Sequence, residues 1–166
     1  MRSYRSARTK EIGFTLIELI VVILVIGILA ATALPRLINM QQEARLAKAQ
    51  AIYGSIRAAA ALAKARCELD LANNIAGACT SAGGTANMEG TLVTMANRYP
   101  DATANGIQAA ANLNGVADGL NIVAGNPIRF QMLGATVPGS CQVAYTQAAA
   151  VGAAPAIVLT ASIGNC

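Results

Sequence analysis

The longest apolar run of the chain lies near its beginning and predicts a helix that can span a membrane. Residues 14–34 read FTLIELIVVILVIGILAATAL, and Glu18 is their only charged side chain. As an α-helix this segment would extend about 31 Å. That length matches the roughly 30 Å hydrocarbon core of a bilayer, so we expect residues 14–34 to form a single membrane-spanning helix.

The helical period continues beyond Pro35, on small side chains instead of large ones. Residues spaced by threes and fours mark one face, and they are Leu37, Met40, Ala44, Ala47, Ala51, Gly54, Ala58, Ala61 and Ala65. Residues 35–66 are therefore predicted to be the amphipathic half of the same helix, ending at about Arg66. The small side chains permit close backbone approach, and we expect them to pack on a sheet of the same subunit, with neighbouring helices as the alternative.

The composition changes at Cys67, where glycine, asparagine, serine and threonine become frequent. Turn signals such as Asn126-Pro127 and Pro138-Gly139 separate short apolar runs, which predict strands. The predicted strands are residues 91–96, 128–133, 142–146 and 156–162. Residues 102–113 can form a short helix instead. The expected fold class is α+β, with residues 67–166 as a β-rich domain whose small antiparallel sheet packs on the C-terminal half of the long helix.

The net charge of +4 is concentrated before the apolar run. Arg2, Arg5, Arg8 and Lys10 are four of the twelve basic residues, and they would hold that end on the cytoplasmic side of a membrane. A basic beginning, an apolar run and the small residues 31–33 also fit an ordinary signal peptide that is cut before Leu34. This is the alternative to a retained helix.

Glu18 distinguishes these two interpretations. A carboxylate within hydrocarbon costs on the order of a few kcal/mol, and a discarded signal peptide has no use for one. If the chain is cut between Gly13 and Phe14, a new α-amino group appears close to Glu18 in sequence. The amino group of a neighbouring subunit can then neutralise Glu18. A misaligned subunit would leave a buried charge unpaired, so this pairing favours the correct axial register.

Residues 13–19 read GFTLIEL between a short basic leader and an apolar helix, and this pattern resembles the type IV pilin signature. The resemblance implies that a prepilin peptidase removes residues 1–13, that the same enzyme methylates Phe14, and that Glu18 is required for assembly. It implies a homopolymeric filament, with residues 14–34 serving first as an inner-membrane anchor and then as the filament core. An assembly ATPase and a platform protein are implied as further partners.

Gly27 and Pro35 are expected to weaken this helix. Glycine costs about 1 kcal/mol in a helix interior and proline about 3 kcal/mol, and Pro35 lacks the N–H that would bond the Ala31 carbonyl. Similar pilins carry a glycine and a proline at these positions and lose helicity there in the filament. The resemblance thus implies a stretchable segment between Gly27 and Pro35, and a merely kinked helix is the alternative.

Four cysteines in an exported chain predict two disulfides. Proximity in sequence favours Cys67 with Cys79 and Cys141 with Cys166, although three connectivities are possible. Each bond would be worth roughly 3 kcal/mol on the chain-entropy model. The second pair resembles the C-terminal disulfide loop of type IV pilins. A zinc site is disfavoured because the chain has no histidine and no closely spaced cysteine pair.

Other classes of function find little support in the sequence. There is no histidine, no phosphate-binding glycine loop and no carboxylate pair suited to acid–base chemistry, so we expect neither an enzyme nor a cofactor. The basic residues of the helix, Arg36, Arg45, Lys48, Arg57, Lys64 and Arg66, are interpreted as a solvated face. Nucleic-acid binding is disfavoured because only Tyr53 is interleaved with these charges.

Three functions remain open within this picture. The favoured one is a pilus subunit used for surface attachment or motility. The alternatives are the major pseudopilin of a type II secretion system and a monomeric membrane-anchored binding domain. Pseudopilins resemble one another in an acidic calcium site near the C-terminus, whereas Asp118 is the last acidic residue here. The four cysteines and residues 88–100 instead resemble the mannose-sensitive haemagglutinin group of pilins.

Overall fold

The computed structural model of the chain describes residues 13–75 and 78–166. Its longest element is helix α1 (Leu16–Ala72). The strands are β1 (Thr85–Met88), β2 (Thr91–Ala96), β3 (Tyr99–Pro100), β4 (Leu120–Val123), β5 (Ile128–Met132), β6 (Gln142–Thr146) and β7 (Ala156–Thr160). Three short helical turns are Ala104–Gln108, Gly115–Asp118 and Pro138–Ser140. The predicted leader, residues 1–13, lies outside the described residues except for Gly13.

The chain divides into two compact units, the first ending at Ile38 and the second running from Asn39 to Cys166. Every described residue of the first unit is exposed. Helix α1 is long and apolar enough to cross a membrane, by length and composition, and its most apolar window has a mean hydropathy of 2.8 with no buried residue. The first unit thus has no core of its own among its described residues.

The second unit contains two antiparallel sheets, in which strands adjacent in sequence are adjacent in space. The three-stranded sheet has the order β1-β2-β3, and the four-stranded sheet has the order β4-β5-β6-β7. In β5, buried Ile128, Phe130 and Met132 alternate with exposed Arg129, as expected for a strand with one face on a core. The registers place Phe130 opposite Val143. The α+β class is confirmed.

The number of sheets and the set of strands both differ from the prediction. Four strands lie at or within the predicted residues, but β1, β3 and β4 were not predicted, and the described residues form two sheets instead of one. The sequence of β1 is Thr-Ala-Asn-Met, and alanine and asparagine are depleted in strands, so its pairing with β2 and not its propensity makes it a strand. In residues 102–113 the backbone of Gly106 is non-helical, and this limits the expected helix to short turns.

Two hydrophobic clusters pack against successive parts of α1. The larger contains Ile52 and Ile56 of the helix together with the inner face of the four-stranded sheet, including Phe130 and Tyr145. The smaller contains Ala63 and Cys67 with Ala86, Val93 and Met95 of the three-stranded sheet, and with Cys79. Each sheet therefore has its own contact region on the helix.

The packed face of α1 is not the predicted one. The buried helix residues are Ala49, Ile52, Ile56, Ala59, Ala60, Ala63, Cys67 and Asp70. The predicted stripe from Leu37 to Ala65 is exposed throughout. Alanine occurs on nearly every side of this helix, so period alone did not distinguish the faces. The isoleucines determine which face is buried, because a buried Ile removes far more apolar surface from water than a buried Ala.

Helix α1 also continues past Arg66 to Ala72. Its end is formed by asparagines instead of the usual glycine. Asn73 Nδ2 donates to the Leu69 carbonyl at 2.7 Å. Asn74 adopts the left-handed conformation that ends many helices, with a φ of 51°. Cys67 consequently lies inside the helix and not at its boundary.

The two sheets are joined by a buried phenol. Tyr145 in β6 is fully buried, and its hydroxyl donates to the Pro100 carbonyl in β3 at 2.6 Å. Burial raises the pKa of Tyr145 above its ordinary value, and the nearby Asp101 acts in the same direction. The neutral phenol is therefore the form that the fold favours.

Candidate functional site

The predicted processing residues lie where α1 begins. Gly13, Phe14 and Thr15 precede the first helical residue, Leu16. The backbone N–H of Glu18 donates to Thr15 Oγ1 at 3.3 Å, and the N–H of Leu19 donates to the Thr15 carbonyl at 3.3 Å. Thr15 is thus the N-cap of the helix. The Gly13–Phe14 peptide bond consequently lies outside the helix.

Sequence reasoning missed the role of Thr15. Its signal is present as Thr15-x-x-Glu18, the spacing of a capping box, in which the cap side chain bonds the backbone N–H three residues on. The spacing also places Glu18 in the first turn of α1. A carboxylate there is favoured by the partial positive charge of the helix N-terminus.

Large exposed apolar side chains surround Glu18 in sequence. The exposed fraction is 86% for Phe14, 79% for Leu16 and 72% for Ile17. Such a contiguous apolar surface is not left in water by soluble monomers, so it requires lipid or a protein partner. In either setting an ionised Glu18 is costly unless it meets a positive charge.

Gly27 and Pro35 lie within the continuous helix. The space beside Gly27 is open, because a Cβ added there would meet nothing within 4 Å. Between them, Thr32 Oγ1 donates to the Leu29 carbonyl at 2.9 Å, which satisfies the hydroxyl inside the apolar run. Pro35 cannot donate to the Ala31 carbonyl. The segment therefore has an altered hydrogen-bond pattern while it remains helical.

Two disulfides close loops in the second unit. They join Cys67 to Cys79 and Cys141 to Cys166, the pairing that proximity in sequence favours. The first is part of the smaller hydrophobic cluster and the second of the larger one. Cys166 is held again by Arg45, whose Nη1 donates to the Cys166 carbonyl at 3.1 Å. Within the described residues, no group of three or more His, Cys, Asp or Glu side chains could hold a metal ion.

The basic side chains of α1 form the expected solvated face only in part, because Arg36, Arg57 and Arg66 are exposed whereas the other three are half-buried. Besides Arg45, the Lys64 ammonium lies 5.0 Å from the centre of the Tyr99 ring. Arg66 pairs with the buried carboxylate of Asp70 at 3.0 Å. A further ion pair joins Glu68 of the helix to Arg98 at the β2–β3 turn, at 3.2 Å. The Arg45, Lys64 and Glu68 contacts thus join the helix to the domain, whereas the Arg66–Asp70 pair lies within α1. Charge counting could not reveal these contacts.

The comparisons with known proteins concern the N-terminal segment. The family of the prokaryotic N-terminal methylation motif matches residues 8–34. A type IV narrow pilus major component of Thermus thermophilus, PilA5, is 47% identical over 51 residues. Residues 8–34 thus match the N-terminal methylation motif, and the 51 matched residues are similar to part of a type IV pilin. The match covers 31% of this chain and 44% of PilA5, so the chain spans less than half the length of that relative.

The motif match contains several residues that sequence reasoning selected. Gly13, Phe14, Glu18 and Gly27 lie within the matched residues 8–34, whereas Pro35 follows directly. No solved structure matches the chain. The likeness of residues 88–100 to mannose-sensitive haemagglutinin pilins stays a prediction.

Proposed function

We propose that this chain is a type IV pilin, the structural subunit of a type IV pilus, anchored in the inner membrane before it polymerises into an extracellular filament. One observation carries the proposal. The methylation motif coincides with a capped helix whose exposed apolar side chains include a single carboxylate, Glu18. An apolar anchor has no need of that charge, and a polymer held in register does.

The start of the helix supports processing between Gly13 and Phe14. A peptide bond must be in an extended, accessible conformation to enter a peptidase, and this bond precedes the Thr15 cap. Hydrolysis there consumes one water and leaves Phe14 with a free α-amino group, which methylation then modifies. The proposed partners are a prepilin peptidase with methyltransferase activity, an assembly ATPase and a platform protein.

The register of subunits is proposed to depend on Glu18. In a filament core, the Phe14 amino group of one copy approaches the Glu18 carboxylate of another. Because the surroundings are apolar, a shift along the axis would leave both charges unpaired, at a cost of several kcal/mol. The apolar contacts alone would be similar at many axial offsets between subunits. The Phe14–Glu18 pair therefore selects one of these offsets.

The exposed face of the second half of α1 supports contact between helices. Ala44, Ala47, Ala51 and Ala58 are exposed, whereas the isoleucines of this part of the helix pack on the domain. Small side chains let helices approach closely. The favoured expectation from the sequence, packing on a sheet of the same subunit, is replaced by the alternative, packing on neighbouring subunits.

Gly27 and Pro35 are proposed to form an extensible segment of the filament. The missing hydrogen bond at Pro35 and the low helix propensity of Gly27 lower the cost of unwinding the residues between them. Filaments of the Gly27→Ala, Pro35→Ala variant should stretch less under a given pull in an optical trap. Equal force–extension curves for the variant and the unchanged filament would contradict this role.

No catalytic function is proposed. Pilins are structural subunits, and in the described domain Arg45 joins the helix to the C-terminal loop while Tyr145 joins the two sheets. The proposed activity is mechanical and adhesive. It needs no cofactor and no reacting side chain within the mature subunit.

The first experiment is intact mass and N-terminal sequencing of protein sheared from the cell surface. The proposal predicts a chain that begins with methylated Phe14 and is lighter by two hydrogens for each of the two disulfides. A chain that begins at Leu34 would show an ordinary signal peptide and overturn the filament proposal. Processed protein that stays with the cells would overturn the extracellular location.

A further inference from the structure

The chain contains two Asn-Gly dipeptides, Asn105-Gly106 and Asn114-Gly115, and the structure places them in different environments. Asn-Gly is the dipeptide most prone to lose its side-chain amide, because glycine lets the following backbone nitrogen approach the asparagine side chain. The reaction needs that nitrogen to be free and the backbone to move. The two sites differ in the hydrogen bonding of that nitrogen and in the space around the glycine.

The Gly106 nitrogen is engaged and enclosed. Its N–H donates to Thr103 Oγ1 at 3.1 Å and to the Thr103 carbonyl at 3.3 Å. Gly106 is buried, and a Cβ built on it would collide with the backbone of Asp101. To reach the Asn105 side chain, this nitrogen would have to break its hydrogen bonds inside a packed turn, which raises the barrier.

The Gly115 nitrogen is free by comparison. Gly115 is the first residue of a short 3₁₀ turn, so its N–H has no partner within the turn, and it donates no hydrogen bond to another described residue. A Cβ built on Gly115 would find its nearest neighbour 3.9 Å away. The Asn114 side chain is exposed, and water can reach it.

We infer that Asn114 is a site of spontaneous deamidation in the folded protein and that Asn105 is protected. The deprotonated Gly115 nitrogen attacks Cγ of Asn114, and the Cγ–Nδ2 bond breaks as ammonia leaves with a proton taken from water. Water then opens the resulting succinimide to give aspartate or isoaspartate. No oxidant or reductant takes part, and water is the only co-reactant.

The product changes the local charge. The backbone N–H of Asn114 donates to Asp118 Oδ2 at 2.6 Å, so the new carboxylate forms close to an existing one. Isoaspartate also adds a methylene to the backbone at the start of the 3₁₀ turn. This turn leads into Leu120, the first residue of β4, which is fully buried in the core. The modified backbone therefore lies next to a core strand.

The test is peptide mapping by mass spectrometry of the detergent-purified full chain during incubation at mildly alkaline pH. Asn114 should convert at least about tenfold faster than Asn105, the ratio expected when the Gly106 nitrogen must first lose its hydrogen bonds. In the reduced chain unfolded in denaturant, the two sites should convert at similar rates. Equal rates in the folded protein, or faster conversion of Asn105, would overturn the inference.

Thr103 supplies a matched control. Thr103→Ala removes the Oγ1 acceptor and should accelerate conversion of Asn105 while leaving Asn114 unchanged, whereas Thr103→Ser keeps the acceptor and should leave both rates unchanged. If Thr103→Ala did not affect Asn105, the protection assigned to Gly106 would be wrong. A variant that had merely unfolded would be recognised because both sites would then convert at similar rates.

Discussion

The two halves of α1 show how one helix can be built for two surroundings. Residues 14–34 carry large apolar side chains on every side, and all are exposed in the first unit. In residues 39–72 alanine is the most frequent residue, and only the face with Ile52 and Ile56 is buried in the second unit. The first half depends on lipid or on other copies for burial, whereas the second half obtains it from its own chain. The balance between these two sources of burial can be tested by substitution.

The largest effect is expected at Glu18. Glu18→Ala should abolish surface filaments, because no carboxylate then neutralises the amino group of a neighbouring subunit. Electron microscopy and shearing of cells are the measurements. Glu43→Ala is the matched control, since Glu43 is an exposed acid on the same helix and should be dispensable. Filaments in normal number from Glu18→Ala cells would show that Glu18 does not set the register.

Two isoleucines, one in each half of the helix, allow the difference in burial to be measured. Ile56 is fully buried, whereas Ile23 is 58% exposed. Ile56→Ala should lower the free energy of unfolding of the second unit by about 2–5 kcal/mol, the usual cost of such a cavity. Ile23→Ala should leave it unchanged within about 0.5 kcal/mol. Urea unfolding of the detergent-purified chain, followed by tyrosine fluorescence, measures both. Similar losses would mean that the first half shares the core of the second.

The disulfides test how far the second unit depends on covalent bonds. Replacing Cys141 and Cys166 together by serine should cost about 3 kcal/mol, and the same change at Cys67 and Cys79 should cost slightly less because its loop is shorter. The two double variants are compared in the same urea assay. An unchanged midpoint for either variant would show that its bond contributes nothing to stability.

The smallest effect concerns Tyr145. Its pKa is raised in the folded state, so folding stability is fully present below the ordinary tyrosine pKa of about 10 and falls above it, by about 1.4 kcal/mol per pH unit. Tyr145→Phe should cost about 1 kcal/mol at neutral pH through the lost bond to Pro100. The variant should also lose part of the alkaline decline. An identical decline in both proteins would assign it to other groups.

The first half of the helix was predictable from sequence, and much of the second unit was not. A long apolar run with a single charge predicts a membrane-spanning helix. The segment from Gly13 to Glu18 is also distinctive enough to indicate a family. An alanine-rich helix offers several faces of similar hydrophobicity, so the buried face had to be chosen by partners far away in sequence. The strand β1 exists for the same reason, because β2 supplies its hydrogen bonds.

The roles of individual side chains were also predictable where they depend on nearby residues and not where they depend on remote ones. Thr15 acts on its own helix turn and could be found from the spacing of two residues. Arg45 contacts Cys166 and Lys64 contacts Tyr99, and each partner is remote in sequence. The pattern of charges predicted instead that Arg45 and Lys64 face solvent. Local signals predict caps and turns well, whereas contacts between distant segments need the fold.

The positions of Arg45 and Cys67 determine how a tensile load would pass from the helix into the domain. Arg45 holds the loop closed by Cys141–Cys166, and Cys67 is bonded covalently to the segment before β1. These two points lie about 33 Å apart along the helix axis. We therefore expect a pull along α1 to load both points together, in shear along the helix, instead of breaking the helix–domain contacts one after another.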